Sequence, residues 1–160
     1  MSAHLVWIDL EMTGLNPEHD RIIEMATIIT DGDLNLIAEG PVLAIRQEQS
    51  LLDGMDEWNQ THHSVSGLLD RMAREGVSEI EAEAQTLAFI ESHVEPNSAP
   101  LCGNTIWQDR RFLSRYMKSL EGYLHYRMMD VSSIKELAKR WPPTIASGVV
   151  KTNQHTAAAH

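Results

Sequence analysis

The sequence lacks the residues and runs that mark several large classes of protein. Among its 160 residues there is one cysteine, Cys102, which excludes an intrachain disulfide framework and a thiolate metal cluster. There is no apolar run of membrane-spanning length, no internal repeat and no low-complexity block. The N-terminus has no charged region followed by a secretory apolar stretch, so we expect a cytoplasmic protein.

Positive charge is also scarce. The 13 Lys and Arg residues are outnumbered by 23 Asp and Glu, which gives a formal net charge of −10. This balance argues against a protein that coats long nucleic acids by charge alone. A small phosphate-bearing substrate stays open, because bound metal ions can supply positive charge locally. The length and the 42% hydrophobic content predict a single domain over residues 1–160 with a substantial core.

Hydrophobic patterning predicts a mixed α/β domain. Three strand-like runs joined by short turns come first and favour an antiparallel meander: residues 5–11, 22–29 and 34–45, the last broken near Gly40-Pro41. Helices and strands then alternate, which favours parallel crossovers. Short helices are predicted near 56–61 and 67–75, followed by a helix capped by Ser78. After it come a strand at 100–103, a helix over 104–118, a strand over 122–131 and a helix capped by Ser132-Ser133.

Two carboxylates, Asp9 and Glu11, interrupt the first predicted strand. Side chains alternate along a strand, so both acids project from one face and Leu10 from the other. Like charges on a buried strand repel each other and lose solvation, and a divalent ion such as Mg²⁺ or Mn²⁺ compensates for both effects. The alternative is an edge strand whose two acids face water, and the Asp-x-Glu spacing alone favours that alternative.

A third acid, Asp109, lies in the helix that follows the strand at 100–103, where ligand crevices of α/β sheets commonly form. Taken alone, Asp109 is better explained as an acid favoured by the helix dipole. With Asp9 and Glu11 it gives three carboxylates that could surround two metal ions and support phosphoryl hydrolysis. His155, one of 8 histidines, is the candidate base for a metal-bound water.

Aromatic and basic residues suggest contacts with nucleotides. Trp58, Tyr126 and Arg127 are of the types that stack on bases and hold phosphates, although both aromatics fit a core or an interface equally well. The pair His62-His63 fits a loop that contacts substrate better than a metal site, because adjacent histidines rarely point the same way.

Together these segments resemble the oligoribonucleases, in the DEDDh branch of the ribonuclease-H-like 3′→5′ exonucleases. The similarity extends from Val6 to about His155 and is carried by residues 7–15, 55–63, 102–112 and 125–132. It implies a ribonuclease-H-like α/β fold: a mixed sheet in which an antiparallel meander precedes parallel strands, with helices on both faces.

The resemblance also implies an activity, which is the stepwise degradation of very short RNA oligomers, dinucleotides above all, from the 3′ end by a homodimer. Asp9, Glu11 and Asp109 would bind two Mg²⁺ or Mn²⁺ ions. The catalytic residues would be His155 and Tyr126, and the substrate-binding residues would be Leu15, Trp58, His63, Thr105 and Arg127. Leu15 would wedge between the bases. A cap on the 5′ phosphate would include Tyr126 and Arg127 of the neighbouring subunit, and it would exclude longer chains.

The sequence departs from the family pattern at three positions. Thr105 replaces a serine and keeps the hydroxyl, and Trp107 replaces a small residue. His160 occupies the place of the acid in the last motif, His-x-Ala-x-x-Asp, and the helix expected after it is missing, an ending that fits a natural terminus or a cloning remnant. A second hypothesis is therefore a form that binds short RNA but cleaves it poorly. A third is a proofreading or DNA exonuclease of the same fold, which would not explain the phosphate cap.

Overall fold

A computed structural model describes residues 4–55 and 67–141, which build a five-stranded mixed sheet with helices packed on it. The strands are β1 (Leu5–Met12), β2 (Ile22–Thr30), β3 (Leu36–Ala44), β4 (Pro100–Gly103) and β5 (His125–Asp130). The described helices are α1 (Gln49–Asp53), α2 (Leu68–Glu75), α3 (Glu79–Glu91), α4 (Ile106–Tyr116), α5 (Lys118–Tyr123) and α6 (Val131–Ala138). In this part of the chain no helix has the length and apolar character needed to cross a membrane.

The strand order is β3-β2-β1-β4-β5. β1 pairs antiparallel with β2, and β2 pairs antiparallel with β3, whereas β4 is parallel to both β1 and β5. The predicted meander followed by parallel crossovers is thus confirmed. β1 is the central strand, so the alternative that placed Asp9 and Glu11 on a solvent-facing edge is wrong.

The main hydrophobic core lies on the sheet face opposite the acids. Val6, Ile8 and Leu10 of β1 point into it and pack with buried side chains of α3 and α4, among them Ile90 and Phe112. Because side chains alternate along β1, burying these three residues turns the intervening acids to the other face. The pattern of the first strand therefore positions the candidate site.

A smaller cluster lies near the β2–β3 end of the sheet, where Leu68 and Met72 of α2 pack with Ile23 and Ala44. Ala44 is paired with Glu24 across β2 and β3, and directly paired residues project from the same side of a sheet. Helix α2 therefore packs on the face opposite α3 and α4, and the expectation of helices on both faces is confirmed.

Several local predictions need correction. The Gly40-Pro41 step does not break the third strand, because a register shift between Ala26 and Ile28 absorbs it as a bulge within β3. The segment predicted as the start of a strand at 122 belongs to α5, and β5 begins at His125. Helix α6 is capped by the Asp130 side chain, which accepts from the backbone of Ser132, rather than by the two serines.

Helix α3 begins as predicted, because the Ser78 side chain accepts a hydrogen bond of 3.1 Å from the backbone N–H of Glu81. Ala82, Thr86 and Ile90 are buried, whereas Ile80 is 81% exposed. The small side chains of Ala82 and Thr86 let the helix lie close to the sheet, so the face that carries them turns inward and Ile80 stays outside. The helix predicted near 56–61 lies outside the described residues.

Candidate active site

The site is organised by a hydrogen bond between β1 and α4. β4 is in register with β1 only at Val6 and Trp7, so the later part of β1 extends beyond its parallel neighbour. There the backbone N–H of Leu10 donates to Oδ2 of Asp109 over 3.0 Å. This bond brings the first turn of α4 to the stretch of β1 that carries Asp9 and Glu11, although 99 positions separate Leu10 from Asp109.

Burial makes these carboxylates electrostatically costly. Asp109 is 7% exposed, and its burial together with the negative charge of Asp9 raises the pKa of Asp109 to about 8, with a smaller contribution from Glu11. The Leu10 N–H acts in the opposite direction. Burial and then the charge of Glu24 raise the pKa of Asp9 to about 7. The three predicted acids therefore lie close enough to repel one another in a partly desolvated place.

This chemistry fits a hard divalent cation. Carboxylate oxygens are the donors that Mg²⁺ and Mn²⁺ prefer, and a positive ion would offset both the burial and the repulsion that raise these pKa values. Among residues 4–55 and 67–141, no three Asp, Glu, His or Cys side chains surround a common ion position. Asp9, Glu11 and Asp109 are therefore not a complete set of ligands within these residues, and a metal site here would need further oxygens.

A cavity of about 350 Å³ adjoins Asp9 on the acid-bearing face. It lies over the sheet between β3 and α6, and it is lined by Trp7, Ile28, Val42, Asn104 and Lys135 among others. A wider depression of about 930 Å³ lies against α4 and is lined by Arg110, Arg111 and Arg115, but none of the three acids borders it. The smaller cavity is therefore the space that adjoins the candidate chemistry.

Two predicted substrate residues flank the acids. Leu15 lies in the turn after β1, is 70% exposed, and has its carbonyl bonded by the Gln108 side chain over 3.3 Å. Thr105 caps α4 with a left-handed φ of 53°, and its backbone N–H donates to Asp130 over 2.8 Å. Both are tied to the helix that carries Asp109, and the exposed Leu15 side chain is available to a ligand.

Tyr126 and Arg127 lie farther away, on the edge strand β5, which β4 separates from β1. Tyr126 is 72% exposed, and the Arg127 guanidinium stands 5.6 Å from the centre of its ring. The structure does not bring this pair to the acids of its own chain.

The remaining predicted site residues, Trp58, His63 and His155, lie outside the described residues, as does His160. Their roles stay predictions from the sequence.

Glu24 is a further buried acid near Asp9 and Glu11, and it is not among the site residues predicted from the sequence. This side chain is 2% exposed on β2, directly opposite Glu11 in the sheet register, and forms an ion pair with Arg71 of α2. The sequence does contain an indication of this site, because Glu24 is the single charged residue in the nine-residue strand Ile22–Thr30. A buried carboxylate in such a strand is costly unless a nearby group compensates it.

Taken together, a mixed sheet, a central strand bearing two acids and a third acid from the following helix define an exonuclease-like α/β domain. The sequence profile of the exonuclease family matches residues 6–159, so this chain belongs to that family. Among curated proteins, the chain is 60% identical over 154 residues to the oligoribonuclease of Alcanivorax borkumensis, covering 96% of this chain and 85% of that protein. It is 59% identical over 153 residues to the oligoribonuclease of Marinobacter nauticus, with 96% and 85% covered.

Solved structures of similar shape include E. coli exonuclease I in complex with a dT13 oligonucleotide, with a TM-score of 0.72 and 17% identity. The alignment covers 99% of this chain and 38% of that one. At this identity the likeness concerns the fold, and it confirms the expected ribonuclease-H-like exonuclease architecture.

Proposed function

We propose that this protein is a metal-dependent 3′→5′ exoribonuclease that degrades short oligoribonucleotides, dinucleotides above all, to mononucleotides. The observation that carries the proposal is the meeting of Asp109 with the Asp9–Glu11 strand through the Leu10 backbone. Membership of the exonuclease family and high identity to oligoribonucleases favour an enzyme over the alternative of a protein that only binds short RNA.

Asp9, Glu11 and Asp109 would hold the divalent ions, with Mg²⁺ and Mn²⁺ as the candidates. When bound, such ions activate water and stabilise the leaving oxygen of a phosphodiester. The protein's own contribution is to hold the carboxylates at fixed positions on a central strand and a helix. The Leu10 N–H fixes the orientation of Asp109, and burial raises the local field that attracts a cation.

His155 would accept the proton of the attacking water. Leu15 and Trp58 would contact the bases, while His63 and Thr105 would hold the 5′ phosphate with Tyr126 and Arg127. The exposed Leu15 beside the Asp109 helix supports this placement on the substrate side. A cationic and aromatic cap on the 5′ phosphate would restrict the enzyme to very short chains, because a longer chain would collide with it.

We propose that Tyr126 and Arg127 act in the site of a second copy of the chain. Their position on an edge strand, away from the acids of the same chain, supports this arrangement. The same region exposes apolar side chains that a partner would cover: Met128, Met129, Ile134 and Leu137, each at least 41% exposed. A homodimer would thus complete both sites. The single exonuclease domain over residues 1–160 and the cytoplasmic location stay predictions from the sequence.

The direct test is cleavage of a 5′-phosphorylated diribonucleotide by the purified protein, with Mg²⁺ or Mn²⁺ and with a chelator in excess. Metal-dependent release of mononucleotides is the expected result. The Asp9→Ala variant should retain the fold by circular dichroism and lose turnover. Binding of the dinucleotide without release would support the binding-only alternative, and unchanged turnover by Asp9→Ala would contradict the assignment of the acids.

A set of 5′-phosphorylated RNA substrates of two, three, five and ten nucleotides, about a fivefold span of length, tests the proposed preference. Turnover should fall steeply with length. A rate that rises with length, or an equal rate on DNA, would favour the third hypothesis of a longer-substrate exonuclease.

A further inference from the structure

Glu24 is a buried charge that the proposed mechanism does not use. It is 2% exposed on β2 between Ile23 and Met25, which are fully buried. A carboxylate at this depth is costly unless a cation and hydrogen bonds compensate it. Arg71 provides this compensation, because its guanidinium contacts Oε2 of Glu24 from helix α2. The Arg71 side chain is itself 26% exposed.

Glu24 lies next to the predicted metal ligands Asp9 and Glu11, which together with Asp109 we call the acid cluster. Glu24 is paired with Glu11 across β1 and β2, and directly paired residues project from the same side of a sheet. Its negative charge acts on Asp9, two positions along β1, and raises the pKa of that group. The Glu24 carboxylate therefore lies beside the acids of β1 while it is bonded to Arg71.

We propose that Glu24, held in place by Arg71, is a positioning residue that strengthens the binding of a divalent cation by Asp9 and Glu11. The inference rests on the proposed function, because it concerns the metal site of that activity. Arg71 occupies the Glu24 carboxylate and so keeps it from serving as a ligand, while its charge still adds to the negative field of the cluster. The same contact fastens α2 to the acid-bearing face of the sheet.

The Glu24–Arg71 pair would reconcile attraction of the cation with stability of the protein when no ion is bound. A strong negative field attracts a cation, but each added buried carboxylate destabilises the protein when no ion is bound. The Arg71 guanidinium offsets the cost of burying Glu24, while the register keeps the Glu24 carboxylate opposite Glu11 on the acid-bearing face. A purely structural ion pair would stabilise the fold equally but would leave the affinity for the ion unchanged.

The test is Mn²⁺ binding to the full chain without substrate, measured by calorimetry or by the paramagnetic resonance signal of free Mn²⁺. Glu24→Gln keeps the size of the side chain and one oxygen that can accept from Arg71, but it removes the negative charge. We expect the Mn²⁺ dissociation constant to rise about three- to tenfold, because the attraction of the Glu24 charge is lost and the remaining Arg71 repels the ion. The Glu24→Gln/Arg71→Gln double variant should bind Mn²⁺ with an affinity between those of the wild type and Glu24→Gln. Because it leaves no unpaired charge, it can be measured even if Glu24→Gln folds poorly.

A matched control is another Arg–Glu pair, Arg21–Glu79, whose atoms approach to 2.9 Å. It joins the start of β2 to α3, and Glu79 is not among the causes of the pKa shifts at Asp9 or Asp109. Glu79→Gln should therefore change Mn²⁺ affinity less than about twofold, although it also removes an Arg–Glu pair.

Unchanged Mn²⁺ affinity in Glu24→Gln and in the double variant would overturn the inference, as would an equal loss of affinity in Glu79→Gln. Asp9→Asn distinguishes this failure from failure of the proposed function. If Asp9→Asn abolishes Mn²⁺ binding while Glu24→Gln leaves it intact, only the role of Glu24 is wrong. If Asp9→Asn binds Mn²⁺ normally, the metal centre itself is misplaced and both proposals fall.

Discussion

The backbone N–H of Leu10 donates a hydrogen bond of 3.0 Å to the Asp109 carboxylate, and this bond links the central strand to the helix that follows β4. The N–H belongs to the residue between Asp9 and Glu11, so any movement of Asp109 acts directly on the strand that carries both acids. The bond therefore has two consequences, one for stability and one for the position of the candidate metal ligands.

The first prediction compares two substitutions of Asp109. Asp109→Asn keeps an oxygen that can accept from Leu10, whereas Asp109→Ala leaves this buried N–H without its acceptor. We expect the alanine variant to be less stable than the asparagine variant by about 1–3 kcal/mol in urea unfolding. Both should lose diribonucleotide cleavage, because neither supplies a carboxylate. Equal stability of the two variants would show that the Leu10 bond contributes little.

The second prediction concerns the dependence of stability on pH in the absence of metal. The Asp9 and Asp109 carboxyls have an ordinary pKa of 3.8 in the unfolded chain. In the folded protein, burial and the charge of Glu24 raise the pKa of Asp9 to about 7, and burial and the charge of Asp9 raise the pKa of Asp109 to about 8. The folded state therefore binds more protons over this interval, and the contribution of these groups to stability falls as pH rises from about 4 to about 8. Above that pH it levels off.

Urea unfolding in chelator at about pH 5 and about pH 8.5 measures this effect, with Asp109→Asn as the reference. The variant should gain stability relative to the wild type as pH rises, by on the order of 2 kcal/mol. Addition of Mn²⁺ at the higher pH should stabilise the wild type and should stabilise the variant much less. A wild type that loses no stability relative to the variant over this range would contradict the proposed burial of the charges.

The third prediction concerns the bulge in β3. A Cβ on Gly40 would come within 2.7 Å of the Phe89 ring and 2.8 Å of the Thr27 carbonyl, so Gly40→Ala should lower the free energy of unfolding by about 1–3 kcal/mol. Gly122 in α5 is the matched control, since a Cβ added there would meet no neighbouring element within 4 Å among the described residues. Gly122→Ala should be neutral or stabilising by up to about 1 kcal/mol. Thermal unfolding distinguishes the two, and a stable Gly40→Ala would show that α3 can move outward without cost.

The fourth prediction tests the proposed homodimer through two exposed isoleucines. Ile134 on α6 is 52% exposed beside the β5 edge, and Ile80 on α3 is 81% exposed. Ile134→Glu should shift the protein towards the monomer in light scattering and lower diribonucleotide turnover by about tenfold or more, because a buried charge weakens an interface and each site loses its partner residues. Ile80→Glu should change neither property. A dimer that tolerates Ile134→Glu would place the interface elsewhere.

The local sequence by itself determined the two faces of the first strand and the start of α3. The alternation of Val6, Ile8 and Leu10 with Asp9 and Glu11 is enough to predict a strand with an apolar face and an acidic face, because side chains of a strand alternate by geometry. The Ser78 cap of α3 follows from a side chain and a backbone N–H three residues apart.

Tertiary structure decided the features that depend on contacts between segments distant in the sequence. It made β1 central, which turned Asp9 and Glu11 from possible edge-strand acids into half-buried acids of the central strand, and it brought Asp109 to the Leu10 backbone. It also selected the buried stripe of α3 and paired Glu24 with Arg71, a partner 47 positions away. Local pattern cannot encode these outcomes, because burial and charge–charge energies depend on the distances created when the chain folds.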